Sequence, residues 1–416
     1  MTKPAARRTI RLFALLLLCA MTASLLAPAA LASGGKRTVP VTIDALPGAP
    51  NAKIEVSWDD AWFTSDETSY NHDLAIAAMA LSGAAYLGGQ NTGVRAALKA
   101  LGFENIRSYN YAPVLKTAAS VTAYTFAVKE IPVSGGTAYL TAIVIRGTGE
   151  YMEWAGNLNM GSGVDHEGFA KARDELLASL DQYLTDLNLT EGERRSMRCL
   201  VTGHSRGAAV ANLTAARLTD DEALGAVYAY TFASPAVSFK AKSAGYGNIF
   251  NIISDEDLVT QVPLSAWGCG RYGTDLRLPT QARDGEAYAV VFARMDQQYT
   301  ALTGKPYTVY KDGKLVSELT SAIHKLVPNA TGSSMAMLSA LFTGNFTGLS
   351  DLVRENSLAA LLLGSRMLKL SNELTPLIQQ EAGGIASAHC VASYYSWLVS
   401  ARTPEEIRAL YAVDFP

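Results

Sequence analysis

Short apolar runs alternate with helical patterns through the middle of the chain. Runs of four to eight mostly apolar residues, typical of buried strands, lie at 121–128, 138–145, 199–202, 226–232 and 249–253. Residues 169–187 and 206–218 repeat their apolar positions at the spacing of one helix face. This alternation predicts an α/β fold with a mostly parallel sheet covered by helices on both faces. In such sheets, functional side chains gather where the strands end.

The flanking regions follow other patterns. Residues 33–68 alternate weakly between apolar and polar positions, which predicts an exposed hairpin or N-terminal extension before a core at 69–275. After about Leu264 the strand–helix alternation stops, and residues 276–385 hold helix-like runs rich in Met and Leu. We interpret this region as a helical insertion. Residues 386–416 then return to the core.

The first residues have the features of a secretory signal peptide. Four basic residues precede an apolar run from Leu12 to Leu26, and Ala30-Leu31-Ala32 stands before Ser33. The pattern predicts a signal peptide over 1–32, cut after Ala32, and therefore a secreted protein. The alternative is a retained membrane anchor, because the apolar run is nearly long enough to span a bilayer.

Charge and cysteine content narrow the choice of partners and cofactors. Removal of the leader leaves 31 of the 35 basic residues against 38 acidic ones, a net charge of −7. This charge disfavours nucleic acid and anionic membranes as partners. The remaining Cys199, Cys269 and Cys390 have no metal-ligand spacing and form no disulfide framework, although Cys269 and Cys390 could pair. We expect no metal and no cofactor, and the sequence leaves the oligomeric state open.

The motif GHSRG, from Gly203 to Gly207, joins a predicted strand to a predicted helix. Small residues at its two ends would let strand and helix pass closely while Ser205 projects from the turn. The Ser205 hydroxyl would then lie beside a helix N-terminus, whose backbone N–H groups stabilise negative charge. We therefore predict that Ser205 is a nucleophile. The alternative is a tight structural turn.

A nucleophilic serine needs a base, and the base needs an acid that fixes its tautomer. In this arrangement the acid follows the serine in the chain and the histidine comes last. The predicted strand at 249–253 leads into Asp255, Glu256 and Asp257. We favour Asp257, which begins the motif DLVxxxP, over Asp255.

Two histidines follow Ser205 in the sequence. His324 lies inside the predicted insertion, whereas His389 lies in a short loop before an apolar C-terminal helix. A base should stand on a rigid element beside the core, so we favour His389. We expect His204 to point away from the nucleophile and to serve packing.

Two backbone donors should stabilise the oxyanion of an acyl-transfer reaction. One is the N–H of Arg206, directly after the nucleophile. The other should follow an earlier strand, and the sequence IRGT places Thr148 after the run at 138–145, with Gly147 permitting a tight turn. Thr148 offers both an N–H and a hydroxyl.

Taken together, IRGT, HEGF, GHSRGA, DLVxxxP and AHCVASY resemble the class 3 (fungal-lipase-like) lipases of the α/β-hydrolase fold. The resemblance covers about residues 69–263 and 386–400. It implies Ser205, Asp257 and His389 as a triad, Thr148 and Arg206 as the oxyanion hole, and His166, Gly168 and Phe169 as structural support.

The chain departs from the family at two places. Arg206-Gly207-Ala208 stands where the family commonly has Leu-Gly-Gly, and Asn157 stands where it often has Asp. The backbone donor survives the first change, but the shape of the acyl pocket can differ.

The family resemblance implies a secreted serine ester hydrolase acting on lipid acyl esters through an acyl-enzyme. A phospholipase and a polysaccharide-ester esterase remain alternatives, as does a non-catalytic envelope or binding protein on the same scaffold. Residues 276–385 or the loop 151–163 could act as a lid with transient lipid-interface contact. The Met and Leu positions of the insertion could equally form only its own core.

Overall fold

A central sheet with helices on both faces organises the molecule. The computed structural model describes residues 35–87, 91–111, 121–147, 164–221, 224–241, 246–281, 283–308, 315–326 and 382–411. The strands are β1 (Arg37–Ile43), β2 (Ala52–Trp58), β3 (Glu104–Tyr109), β4 (Tyr124–Val133), β5 (Gly136–Ile145), β6 (Arg198–His204), β7 (Ala226–Phe232), β8 (Ile249–Ser254) and β9 (Thr274–Leu278). The helices are α1 (His72–Ala84), α2 (Thr92–Ala100), α3 (Glu167–Asp186), α4 (Glu191–Ser196), α5 (Arg206–Asp221), α6 (Gly285–Thr303), α7 (Leu315–Leu326), α8 (Ala382–His389), α9 (Val391–Ser400) and α10 (Pro404–Tyr411).

The large sheet runs from β3 to β9 in chain order. The pairs β3–β4 and β4–β5 are antiparallel, and every pair from β5 to β9 is parallel. The central strands β6, β7 and β8 are buried along almost their whole length, as parallel strands with helices on both faces must be. The predicted α/β fold with a mostly parallel sheet flanked by helices is confirmed.

Successive side chains of the central strands pack into two separate cores on the two faces of the sheet. In β5, Leu140 and Ala142 join the core on one face, whereas Ile143 and Ile145 join the core on the other. The first core also contains residues of the N-terminal hairpin, α1, α6 and α9, and the second contains residues of α3 and α5. This period-two alternation fixes the register of the strands, because a one-residue slip would exchange the two faces.

Strands β1 and β2 form a hairpin, but the expectation that it is exposed is wrong. Val41, Ile43, Val56 and Trp58 are each at most 2% exposed and belong to the first core. Their alternation along the two strands puts them all on one face, and that face packs on the helices beside the sheet. The hairpin is therefore part of the folded core.

The strand–helix alternation continues beyond Leu264, contrary to expectation. Strand β9 pairs in parallel with β8, and α6 contributes Val291, Met295 and Tyr299 to the first core. The start of the region predicted as an insertion thus belongs to the sheet and its helical cover. The Met- and Leu-rich runs SSMAMLSALF and SLAALLLGSRMLKL lie outside the described residues, so the rest of that interpretation stays a prediction.

Two further expectations can be compared with the described part of the chain. Cys269 and Cys390 are both buried thiols, so the considered disulfide between them does not form. None of the helices in the described ranges is long and apolar enough to cross a membrane. The predicted signal peptide at 1–32 lies outside those ranges.

Candidate active site

The turn between β6 and α5 presents Ser205 at the carboxyl edge of the sheet. Ser205 has a φ of 59°, in the left-handed region, which costs a non-glycine residue about 1–3 kcal/mol. A Cβ at Gly203 would lie 2.5 Å from the backbone of Gly207, so a larger residue would push the strand and helix apart. The Ser205 N–H donates to the Phe232 carbonyl at 2.9 Å, which ties the turn to β7. The glycines therefore have the steric role predicted for them.

Three distant segments meet at this turn. The Ser205 Oγ lies 2.8 Å from His389 Nε2, and His389 Nδ1 lies 2.8 Å from Asp257 Oδ2. Asp257 directly precedes a short 3₁₀ helix after β8, and His389 is the last residue of α8, not part of a loop. All three side chains are at least 90% buried. The structure brings together the nucleophile, base and acid predicted from the sequence.

The carboxylate of Asp257 accepts hydrogen bonds from three directions. Its Oδ1 accepts from the Val259 N–H at 2.9 Å. Its Oδ2 accepts from the Tyr394 hydroxyl at 2.7 Å and from His389 Nδ1–H. With the imidazole proton on Nδ1, His389 Nε2 is an acceptor for the Ser205 hydroxyl proton. Asp257 therefore sets the tautomer that a base needs.

The competing acids have other surroundings. Asp255 forms ion pairs with Arg277 and Arg283 near the surface. Glu256 is 7% exposed, and the Tyr307 hydroxyl approaches its Oε2 at 3.4 Å. Burial raises the pKa of Glu256 to about 7. The alternative base, His324, lies on α7 and is solvent-exposed.

A buried arginine that sequence reasoning missed holds the loops around the acid. The Arg271 guanidinium donates to the carbonyl oxygens of Ser234 and Thr260 and pairs with Asp275 at 2.9 Å. Ser234 follows β7, Thr260 follows β8, and Asp275 is the second residue of β9. Arg271 therefore connects the segments after two strands to the start of a third. Its sequence context, CGRYG, has no local feature that indicates burial. Tyr394 was missed for a similar reason, although it lies inside the motif AHCVASY.

The predicted oxyanion donors are only partly within the described structure. Arg206 is the first residue of α5, so its backbone N–H lies at a helix N-terminus beside Ser205. Thr148 and the loop 151–163 lie outside the described residues, and their roles stay predictions. Gly147, the residue before Thr148, passes very close to the turn: a Cβ there would lie 2.7 Å from the His204 carbonyl oxygen.

His166, from the HEGF motif, lies at the start of α3. His166 caps α3, accepting from the Phe169 N–H at 3.4 Å, and its ring stacks on that of Phe169. Within the described ranges, no group of three or more His, Cys, Asp or Glu side chains is arranged to hold a metal ion. The arrangement of Ser205, His389 and Asp257 can move a proton from the hydroxyl to the imidazole while the carboxylate stabilises the resulting positive charge.

Comparison with known proteins identifies the family that the site resembles. Residues 142–267 match the model of the family Lipase (class 3). This confirms the resemblance predicted from the motifs and, with it, a carboxylic ester hydrolase with lipase-type ester hydrolysis. No curated protein sequence matches the chain.

Several solved structures of fungal lipases show a weak likeness to the fold. A Rhizomucor miehei triacylglyceride lipase is 21% identical over 50% of this chain and 81% of its own, with a TM-score of 0.37. A lipase from Rhizopus microsporus var. chinensis is 17% identical over 50% of this chain and 76% of its own, with a TM-score of 0.36. The resemblance to class 3 lipases rests on the family match over residues 142–267.

Proposed function

We propose that this chain is a secreted serine ester hydrolase that cleaves lipid acyl esters with Ser205, His389 and Asp257 as its catalytic triad. One observation carries the proposal: two hydrogen bonds of 2.8 Å connect the carboxylate, the imidazole and the hydroxyl in an unbroken line. The class 3 lipase match supports an ester as the bond that is cleaved. Transient contact with a lipid interface belongs to the same proposal.

In the first step the Ser205 Oγ attacks the ester carbonyl carbon as its proton passes to His389 Nε2. The Asp257 carboxylate stabilises the imidazolium that forms. Negative charge develops on the former carbonyl oxygen, and the backbone N–H of Arg206 at the start of α5 is placed to receive it. Thr148 would supply the second donor, as the family resemblance implies.

In the second step His389 returns the proton to the leaving alcohol, and the acyl group remains on Ser205. Water, activated by His389 in the same way, then releases the carboxylic acid and restores the hydroxyl. The nucleophile is only 4% exposed. Low exposure strengthens each electrostatic interaction of the triad, because little water is present to screen it.

The test is ester hydrolysis and covalent labelling of the protein that begins at Ser33. We expect a fluorophosphonate probe to label the wild type, and we expect turnover of acyl esters. Ser205→Ala and His389→Ala should each abolish both turnover and labelling. Faster turnover of phosphatidylcholine than of triglyceride would assign a phospholipase, and a preference for acetylated polysaccharide would assign a carbohydrate esterase.

Matched controls separate the triad from general effects of mutation. Ser196→Ala removes an exposed serine of α4, and His324→Ala removes the exposed histidine of α7. Both should retain wild-type turnover. A wild type that neither reacts with the probe nor hydrolyses any ester would refute the proposal and favour a binding protein.

A further inference from the structure

The histidine before the nucleophile contacts the backbone of the catalytic base. His204 Nε2 lies 2.8 Å from the carbonyl oxygen of His389, and the rings of the two residues lie 4.9 Å apart. His204 is 3% exposed, and burial together with the nearby His389 lowers its pKa well below the ordinary value. The ring is therefore neutral, with its one proton on Nε2 donated to His389. No second positive charge then lies beside the base.

The other ring nitrogen of His204, Nδ1, contacts Tyr86, whose hydroxyl lies beside the segment that follows β5. The Tyr86 hydroxyl lies 3.0 Å from His204 Nδ1, which must accept because Nε2 carries the proton. The same hydroxyl also lies 3.3 Å from the His204 carbonyl oxygen and packs against Gly147, where an added Cβ would lie 2.1 Å from it. Hydrogen bonds thus connect Tyr86 through His204 to the backbone of His389, and the Tyr86 hydroxyl contacts Gly147, two residues after β5.

We propose that Tyr86 and His204 are positioning residues that hold the base and the end of β5 in register with Ser205. The proposal rests on the hydrolase function proposed above and extends it to two residues that touch neither substrate nor reacting atoms. His204 adjoins Ser205 in the chain, so the nucleophile and the backbone of its base share one support. The Tyr86 hydroxyl extends this support to Gly147, next to the predicted donor Thr148.

The His389 backbone needs such a support because of its place in the fold. It ends α8, where the last carbonyl groups of a helix lack intrahelical partners. His204 satisfies this carbonyl and thereby limits rotation of the segment that carries the imidazole. A displacement of about 1 Å at a reacting group can lower a rate by about 10²-fold.

A second pair of the same composition provides an internal control. The Tyr70 hydroxyl lies 3.0 Å from His72 Nδ1, and His72 Nε2 lies 2.9 Å from the Leu398 carbonyl oxygen. This pair stands at the start of α1, whereas Tyr86 follows the end of the same helix. The chemistry is the same, but the carbonyl belongs to α9 and not to the base.

The experiment divides the two hydrogen bonds of His204 between two substitutions. His204→Gln places an amide N–H where Nε2 lies and keeps a donor for the His389 carbonyl. His204→Asn places its amide near Nδ1 and can reach only Tyr86. In hydrolysis of a short-chain p-nitrophenyl ester by the full chain, we expect His204→Asn to lower kcat about 10²-fold with KM unchanged. His204→Gln should recover at least a tenth of the wild-type kcat, and Tyr86→Phe should fall between the two.

Tyr70→Phe is the matched control and should keep the wild-type kcat. The proposal is overturned if His204→Asn matches the wild type, or if His204→Asn, His204→Gln and Tyr70→Phe all lower kcat equally, since that would indicate general loosening of the fold. It is also overturned if the substitutions raise KM and leave kcat unchanged.

A measurement independent of turnover separates this proposal from the proposed function. The proton between His389 Nδ1 and Asp257 should give a far-downfield NMR resonance in the wild type, His204→Gln and Tyr70→Phe. In His204→Asn it should broaden or disappear as the imidazole loses its fixed position. A wild type without Ser205-dependent hydrolysis would refute the enzymatic function, while this resonance would still decide whether His204 positions His389.

Discussion

The two ends of the parallel strands bury similar polar side chains and use them differently. At the carboxyl end, hydrogen bonds form a line in which the Ser205 hydroxyl donates to His389, and His389 donates to Asp257. At the amino end, the Lys129 ammonium forms a buried ion pair with Asp60; Lys129 is opposite Leu140 of β5, which pairs with Arg198 at the start of β6. The first line ends on a group that can react. The ion pair between Lys129 and Asp60 includes no such group.

Polar and aromatic groups surround the Lys129 ammonium. Its ammonium donates to Asp60 and, at 3.0 Å, to the Leu101 carbonyl, and it lies over the rings of Trp58 and Phe103 at less than 5 Å. Burial nevertheless lowers the pKa of Lys129 to about 8. A perturbed pKa alone therefore does not indicate function. What distinguishes the carboxyl end is that its hydrogen bonds terminate at the hydroxyl of Ser205, the proposed nucleophile, which is held in a strained turn.

The largest expected effect is that of Asp257→Asn on activity. The amide has the shape of the carboxylate but no longer favours the proton on His389 Nδ1, so Nε2 loses its role as acceptor. We expect kcat for ester hydrolysis to fall about 10⁴-fold, the loss typical of a triad aspartate replaced by its amide. The free energy of unfolding, measured in urea, should change far less than this barrier.

Asp255→Asn is the control for this prediction, because Asp255 is the neighbouring acid and pairs with exposed arginines. Its kcat should stay within about twofold of the wild type, since exposed ion pairs contribute little. Equal losses in the two variants would mean that the acidic turn acts as a whole and that Asp257 has no special role.

At the amino end the expected loss is in stability. Asp60→Asn leaves the Lys129 charge buried without its carboxylate, and breaking such a pair typically costs about 3–5 kcal/mol. Urea unfolding should show this decrease, while kcat per folded molecule stays at the wild-type value. Lys129→Met combined with Asp60→Asn should recover much of the stability, because no unpaired charge remains. A large fall in kcat for the folded variant would contradict the functional separation of the two ends.

The parallel strands could be predicted because the sequence of each one indicates a buried strand without reference to distant residues. Strands β6, β7 and β8 are mostly apolar runs, and α5 starts directly after the turn at Ser205. Strands β3 and β9 were missed because their sequences, ENIRSY and TDLRL, are polar or alternating. Each pairs with a single neighbour at an edge of the sheet, where one side is open and burial is lower.

The candidate triad could be predicted because chain order and motif together narrow the acid and the base to a few residues. The groups that support it could not be predicted. Arg271, Tyr86 and Tyr394 act through contacts with residues distant in the sequence, and no local pattern distinguishes them from other buried polar residues. The catalytic roles themselves stay predictions until the substitutions are measured.

Glu256 also lies at the carboxyl end of the strands, but it is not one of the three triad residues. It therefore tests whether a place at this end is enough for a catalytic role. Its pKa rises from about 4.5 to about 7 on folding, mainly through burial. The folded protein therefore holds a proton that the unfolded chain releases, and stability falls as pH rises from about 4.5 to 7. We expect this loss to reach at most about 3 kcal/mol in the wild type and to vanish in Glu256→Gln.

Unfolding in urea at a series of pH values measures this slope, and Asp255→Asn should retain it. Activity per folded Glu256→Gln molecule at pH 6 should match the wild type, because the wild-type side chain is largely protonated there as well. Identical pH slopes in wild type and Glu256→Gln would show that another group titrates. Glu256 would then contribute neither to the pH dependence of stability nor to catalysis, despite its place at the carboxyl end of the strands.

The smallest expected effect is the loss of kcat when Tyr394, which donates a hydrogen bond to Asp257 Oδ2, is replaced. Tyr394→Phe removes one of the three hydrogen bonds to Asp257 and leaves those from Val259 and His389 in place. A hydrogen bond to a charged group contributes about 1.5 kcal/mol at the low end, so kcat should fall about tenfold with KM unchanged. Tyr395→Phe, a buried neighbour on α9, is the control and should retain wild-type kcat. If Tyr394→Phe lost as much activity as Asp257→Asn, the tyrosine would belong to the reacting line itself, and the division between that line and its supports would have to be redrawn.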